Sequence, residues 1–215
     1  MTGSLTTLSS RLRAETKDAH VRAERSGIMR RVLRGDVGRG EYVALLVDLA
    51  ALYDALETEL DRHAGHPVLA PFAPGALRRH AALLADVAAL AAGPPPAPGP
   101  AARAYAAHLH ALGASAPVRL VAHAYVRYMG DLSGGQILRG IVERALALRD
   151  GAGTDAGTAF HDFAAAGDPD ALKRRFRDAL DALPAEWADA VVDEALVAFA
   201  MHERLFTERD GERDG

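Results

Sequence analysis

Cysteine is absent from this sequence. That excludes disulfides, thiolate ligands to a metal, iron–sulfur clusters on their usual ligands and a cysteine nucleophile, and it leaves the redox compartment open. Aromatic residues are scarce at 6%, although apolar residues reach 49%. The apolar content is mostly Ala, Leu and Val, which favours packed helices over sheets. Long apolar runs are missing too: LLADVAALAAG is interrupted by Asp86 and ends at prolines, far short of the roughly eighteen residues that suggest a membrane span. MTGSLTTLSSRLR has no apolar core of a secretory signal. A cytoplasmic protein without a membrane anchor is expected. The net charge of −4 makes no case for nucleic acid. Histidine is well represented, with nine residues, and histidine can ligate metals or move protons near neutral pH.

The 215 residues suit one domain, with an ordered core over about 8–208 and a polar end. Ser9 or Ser10 caps a first expected helix that runs to about Arg25. A short helix spans Ile28 to Leu33, and a long periodic one runs from about Gly40 to His63. Another is expected from Gly75 to Ala92. The prolines and glycines of GPPPAPGP then read as a stiff surface loop inside one domain. Helices follow over Ala101–Leu112 and from Pro117 to about Arg149. GAGTDAGT reads as a loop. Asp168 caps a helix with Pro169 at its first position, running to Leu183, and Pro184 opens the last, through about Glu208. With no alternating Val/Ile strand, the expected class is all-α.

Three constellations carry possible chemistry. Arg13, Lys17, His20 and Glu24 fall on one helical face. His20 there could bind a metal while Glu24 orients its ring and the cations hold anionic groups; a solvated face with two ordinary ion pairs has the same spacing. Gly130, Gly134 and Gly135 lie within six residues of a helical stretch, at a cost of about 1 kcal/mol each relative to alanine. Gly130 and Gly134 share a face that could approach something flat and bulky, or pack closely on another helix. Asp131 stands one turn after Arg127, either as a surface ion pair or as an anchor for water and protons. Lys173 and Arg177 form a cationic pair at i, i+4 that is either a solvated face or a grip on carboxylates. His202 shares a face with Phe199 and Phe206. The other histidines read as surface or packing residues: His63, His66, His80, His108, His110 and His161, with His123 a candidate for the core.

The stretch LVAHAYVRYMGDLSGGQIL at 120–138 closely resembles the distal-helix motif of biliverdin-producing haem oxygenases. The likeness extends through ETKDAHVRAE at 15–24, the Tyr42–Glu57 segment and the last two helices, from about Leu8 to Phe206. It implies a single helical domain with haem between a proximal and a kinked distal helix. It makes His20 the iron ligand, supported by Glu24. Gly130, Ser133, Gly134 and Gly135 become the segment over the haem, and Asp131 the distal carboxylate, with Arg127 and Tyr53 as its network partners. Arg13, Lys17, Tyr125, Lys173 and Arg177 are placed around the haem propionates, and Phe199 on the pocket wall. The implied reaction uses haem b as both substrate and cofactor, with molecular oxygen and electrons from a ferredoxin or flavoprotein reductase. A monomer is expected. Departures from the animal members are Arg13 for a lysine, Met129 for a leucine and His202 for an asparagine, and the hydrophobic C-terminal anchor is missing, as in the soluble bacterial branch. A non-catalytic haem carrier or sensor on the same fold is the alternative. A di-iron oxidase needs facing Glu/His ligands, a set that Glu57, Glu59 and Glu203 do not make.

Overall fold

The computed structural model describes residues 7–73, 75–148 and 157–211, and among these it contains helices and no strands. The order is α1 (Leu8–Glu15), α2 (Lys17–Glu24), α3 (Gly27–Arg34), α4 (Arg39–Arg62), α5 (His80–Leu90), α6 (Pro100–Ser115), α7 (Leu120–Ala124), a π-helical turn (Tyr125–Met129), α8 (Gly130–Ala145), α9 (Pro169–Asp181) and α10 (Ala188–Gly211). Helix α4 is apolar on nearly every side and is the core element: Leu46, Leu52, Tyr53, Leu56 and Leu60 are buried in it. It packs against α5 and α6, which flank the exposed proline-rich segment. Helix α10 closes the other side against α2, α3 and α7.

Carboxylates on buried faces tie the connecting segments to this core. Asp48 of α4 accepts from Gly99 N at 2.8 Å and pairs with Arg209 of α10 at 2.6 Å. Glu57 accepts from the backbone N–H groups of Arg79 and His80, at 2.6 and 3.3 Å, and so satisfies the start of α5 from a different helix. Asp86 of α5 accepts from Ala159 N and Phe160 N, both at 2.8 Å. An uncapped helix start or loop would leave buried donors unpaired; these carboxylates prevent that.

Several elements differ from the sequence expectation. The first helix is two, broken at Thr16, whose hydroxyl bonds back to Leu12 O at 2.6 Å; such back-bonding bends helices. Its cap is Thr7, which accepts from Ser10 N, whereas Ser9 is drawn to Asp181 at 2.8 Å. Helix α5 starts at His80, because a short 3-10 turn at Gly75–Leu77 precedes it and Glu57 takes the first donors. Pro117 and Pro184 each open a 3-10 turn before the α-helix, and α10 runs on to Gly211. Asp168 caps α9 as expected, accepting from Asp170 N and Ala171 N. Most of GAGTDAGT lies outside the described residues.

Gly27 shows how tightly α3 docks on α10. It has φ +38°, and a Cβ there would stand 1.9 Å from Phe206 O. The obstacle is backbone and cannot swing aside. Gly27→Ala should therefore lower stability by at least about 2 kcal/mol, from both the left-handed backbone and the clash, as read from the midpoint of urea unfolding at constant slope.

Candidate functional site

The π-helical turn aims the polar residues of the site. It inserts one residue's worth of rotation between α7 and α8, a feature that recurs at functional sites. Arg127 sits in the turn and Asp131 in the first turn of α8. Arg127 Nη2 donates to Asp131 Oδ1 at 2.8 Å, its Nε donates to the Tyr53 hydroxyl at 3.1 Å, and its Nη1 faces His202 Nε2 at 3.3 Å. The Tyr53 hydroxyl in turn donates to Asp131 Oδ2. An arginine cannot lose its proton, so His202 Nε2 is the acceptor and its Nδ1–H goes to Ala198 O at 2.8 Å. Burial, reinforced by the Arg127 charge, holds His202 well below the usual histidine range and keeps it neutral. Burial also raises the Asp131 carboxyl, with Arg127 and Tyr53 opposing the shift. Two of the carboxylate's oxygen lone pairs are engaged, and Asp131 lines a cavity into which the others can reach.

That cavity has a volume of about 230 Å³. One wall is α2, with His20 half-exposed and edge-on to Phe199 at 5.7 Å. Glu24 Oε1 stands 3.5 Å from His20 Nε2, longer than a good hydrogen bond. The facing wall is α8. Cβ atoms built on Gly130 and Gly134 would meet nothing within 4 Å, so they would project into open space at the cavity edge. Leu45, Leu49, Val126 and Phe199 make most of the remainder apolar. A histidine facing the Gly130–Gly134 face of a helix across an apolar slot fits a flat, metal-bearing ring such as haem.

Not every expected residue reaches the cavity. The glycines were expected to kink the helix; the irregularity is the π turn before them, and Gly130, Gly134 and Gly135 are regular α-helix without positive φ. Gly135 packs on His161 instead, with its Cβ position 3.6 Å from His161 O. Ser133 is exposed and is not part of the lining. Tyr53 stands behind Asp131, fully buried, and acts through it. Arg13 and Arg177 both act electrostatically on the Tyr125 hydroxyl, which brings cations of α1 and α9 to one phenol. Lys17 is exposed on α2, and Lys173 is engaged by Asp170 at 2.7 Å.

The residue missed by sequence reasoning is His161. It is buried in the lining, its Nε2 3.0 Å from the Tyr42 hydroxyl and its backbone carbonyl bonded by Gln136. Its position depends on Asp86 holding the preceding two residues, and no spacing along the chain signals that.

The comparisons agree with this geometry. The family model described as "Heme oxygenase" matches residues 6–208. The chain belongs to the haem oxygenase family. It is 37% identical over 209 residues to "Heme oxygenase 1" of Nostoc, covering 95% of this chain and 86% of that one. Haem oxygenase-1 of the cyanobacterium Synechocystis, solved in complex with heme, superposes with a TM-score of 0.88 at 37% identity, over 96% of this chain and 93% of that one. The haem oxygenase of Leptospira interrogans gives 0.87 at 31% identity, over 94% and 99%. Among the described residues no helix is long and apolar enough to cross a membrane.

The cavity wall can be probed at two positions. Alanine at Gly134 touches no protein atom and improves helix propensity by about 1 kcal/mol. Gly134→Ala should thus unfold at higher urea while binding haem more weakly in a spectral titration. The second position is His161, whose folded pKa burial lowers to about 3 from 6.5. As pH falls below about 6.5 the unfolded chain takes up this proton and the folded chain does not. The contribution is complete above that pH and is lost towards about pH 3, at up to about 1.4 kcal/mol per pH unit. His161→Phe should flatten the stability–pH slope of the haem-free protein between pH 6 and 4 by up to that amount.

Proposed function

We propose that this chain opens haem to biliverdin, ferrous iron and carbon monoxide, using molecular oxygen and electrons from a separate ferredoxin or flavoprotein reductase. The observation that carries the reading is Asp131, a carboxylate clamped by Arg127 and Tyr53 at the edge of a glycine-faced cavity opposite His20. Haem b, substrate and cofactor at once, supplies the iron at which oxygen is activated. His20 would ligate that iron, with Glu24 next to it to orient the ring.

Asp131 is held back by Arg127 on one oxygen and Tyr53 on the other. Its remaining lone pairs would order a water, and that water would pass the proton to the oxygen side. Keeping the acid one water away favours attack on the ring over direct protonation by the carboxyl. Gly130 and Gly134 would let the backbone press close from above, without a side chain that competes for the same space. Arg13, Arg177 and Tyr125 are grouped where carboxylates of a seated ring could be held, with Lys17 exposed at the start of α2 and Lys173 one turn before Arg177 on α9, where it pairs with Asp170. A non-catalytic carrier needs apolar contact and an iron ligand; it has no use for a buried Arg–Asp–Tyr cluster at the cavity edge.

Haem-loaded protein given oxygen and a reductase system should yield the biliverdin spectrum and release carbon monoxide. Asp131→Ala should retain haem and lose about a hundredfold or more in biliverdin rate, the usual scale for removing a proton-delivery group. Asp131→Asn should keep part of the activity, since an amide still orders water. Full activity in Asp131→Ala would remove the carboxylate from the reaction. His20→Ala should lose the iron–histidine spectrum, and added imidazole should restore it; an unchanged spectrum would exclude His20 as the ligand.

A further inference from the structure

Outside the haem cavity, three helices bring a second set of ligating atoms together. His108 of α6, His123 of α7 and Glu194 of α10 each direct one such atom to a common point, all within 4.8 Å of one another. His123 and Glu194 are buried at 0% and 2% side-chain exposure, while His108 is 28% exposed and opens the point to solvent. Glu194 Oε1 lies 2.7 Å from His108 Nε2 and 3.1 Å from His123 Nε2. The other oxygen, Oε2, is taken by Arg119 at 3.1 Å, which turns Oε1 toward both imidazoles. We propose that His108, His123 and Glu194 form a binding site for a divalent transition-metal cation of the zinc type, with solvent in the fourth position.

The donor set is two imidazoles and one carboxylate, a combination zinc takes with bonds of about 2.0–2.2 Å in a tetrahedral arrangement. Tetrahedral ligands at that length stand about 3.4 Å apart. From the present spacing His123 would have to give by a few tenths of an ångström, and His108, on the solvent side, by somewhat more. Both imidazoles must present Nε2 without its hydrogen. For His123 the partner that this tautomer needs is already in place: Nδ1 is 2.8 Å from the Tyr105 hydroxyl, whose oxygen can accept the displaced hydrogen. A hydrogen bond on the far ring nitrogen is the usual orienting contact of a metal-bound histidine. The Arg119 charge opposes a cation, but it sits on the opposite carboxylate oxygen and is itself 41% exposed.

The test is titration of Zn2+ into haem-loaded, tag-free protein by calorimetry, with His20 occupied by iron. One ion should bind with a dissociation constant below about 10 µM, an ordinary strength for three protein ligands. His108→Ala, a partly exposed change that spares the core, should weaken binding at least tenfold. Glu194→Gln should do the same where it folds. His110→Ala, whose ring pairs with Glu59 instead, should leave the affinity unchanged. Zinc-edge absorption should show two imidazoles in the first coordination shell. Absence of binding below 100 µM, on the order of incidental surface histidine contacts, would overturn the proposal. So would binding that His108→Ala leaves intact, which would place the ion elsewhere.

Discussion

A guanidinium in the protein interior has to be neutralised, and the placement of Arg127 imposes that demand on four segments at once. Asp131 answers from α8, Tyr53 from α4 and His202 from α10, while the π turn sets the direction of Arg127 itself. Removing one partner of a buried pair leaves the other charge uncompensated, at a cost of about 3–5 kcal/mol. The cluster therefore fixes the relative positions of α4, α8 and α10 as well as the carboxylate at the cavity edge. Structural and chemical duties fall on the same atoms. His202 fits this logic because burial keeps it neutral and leaves Nε2 as an acceptor; a protonated ring would confront Arg127 with a second cation.

Much of this was legible along the chain. The spacing of Arg127, Asp131 and the glycines is local, and the glycine cost signalled that something offsets it. The cap at Asp168 and the long α4 were equally plain, since both rest on local rules. What escaped was set by distant partners. Glu57 decides where α5 begins, Thr16 breaks the first helix through its own hydroxyl, and the π turn has no spacing signature in a stretch that reads as continuous helix. His161 looked like a loop histidine because the groups that bury it come from α4, α5 and α8. Ser133 and Gly135 belong to the same motif as Gly134, yet a single residue's step along the helix, about 100°, turns each of them away from the cavity.

The carboxylates of α4 and α5 show how a chain of helices gains precision in its loops. Asp48, Glu57 and Asp86 each accept from backbone N–H groups of a segment far away in sequence. A loop held in this way costs less ordering entropy at the cavity, because its shape is set before any ligand arrives. The wall containing Phe160 and His161 is prepared by a residue of α5 that never touches the cavity.

The glycine-faced slot also ties the life of the protein to its work. Ile137 and Leu33, both on the cavity lining, are among the exposed large apolar residues, so the empty molecule carries an apolar rim that a seated ring would cover. A ligand that binds only the folded form stabilises it by mass action. Here the ligand is consumed. Each turnover returns the protein to its less stable state, and only the next haem restores it. Substrate supply thus acts as a protective agent, and the empty chain is the form more open to proteolysis.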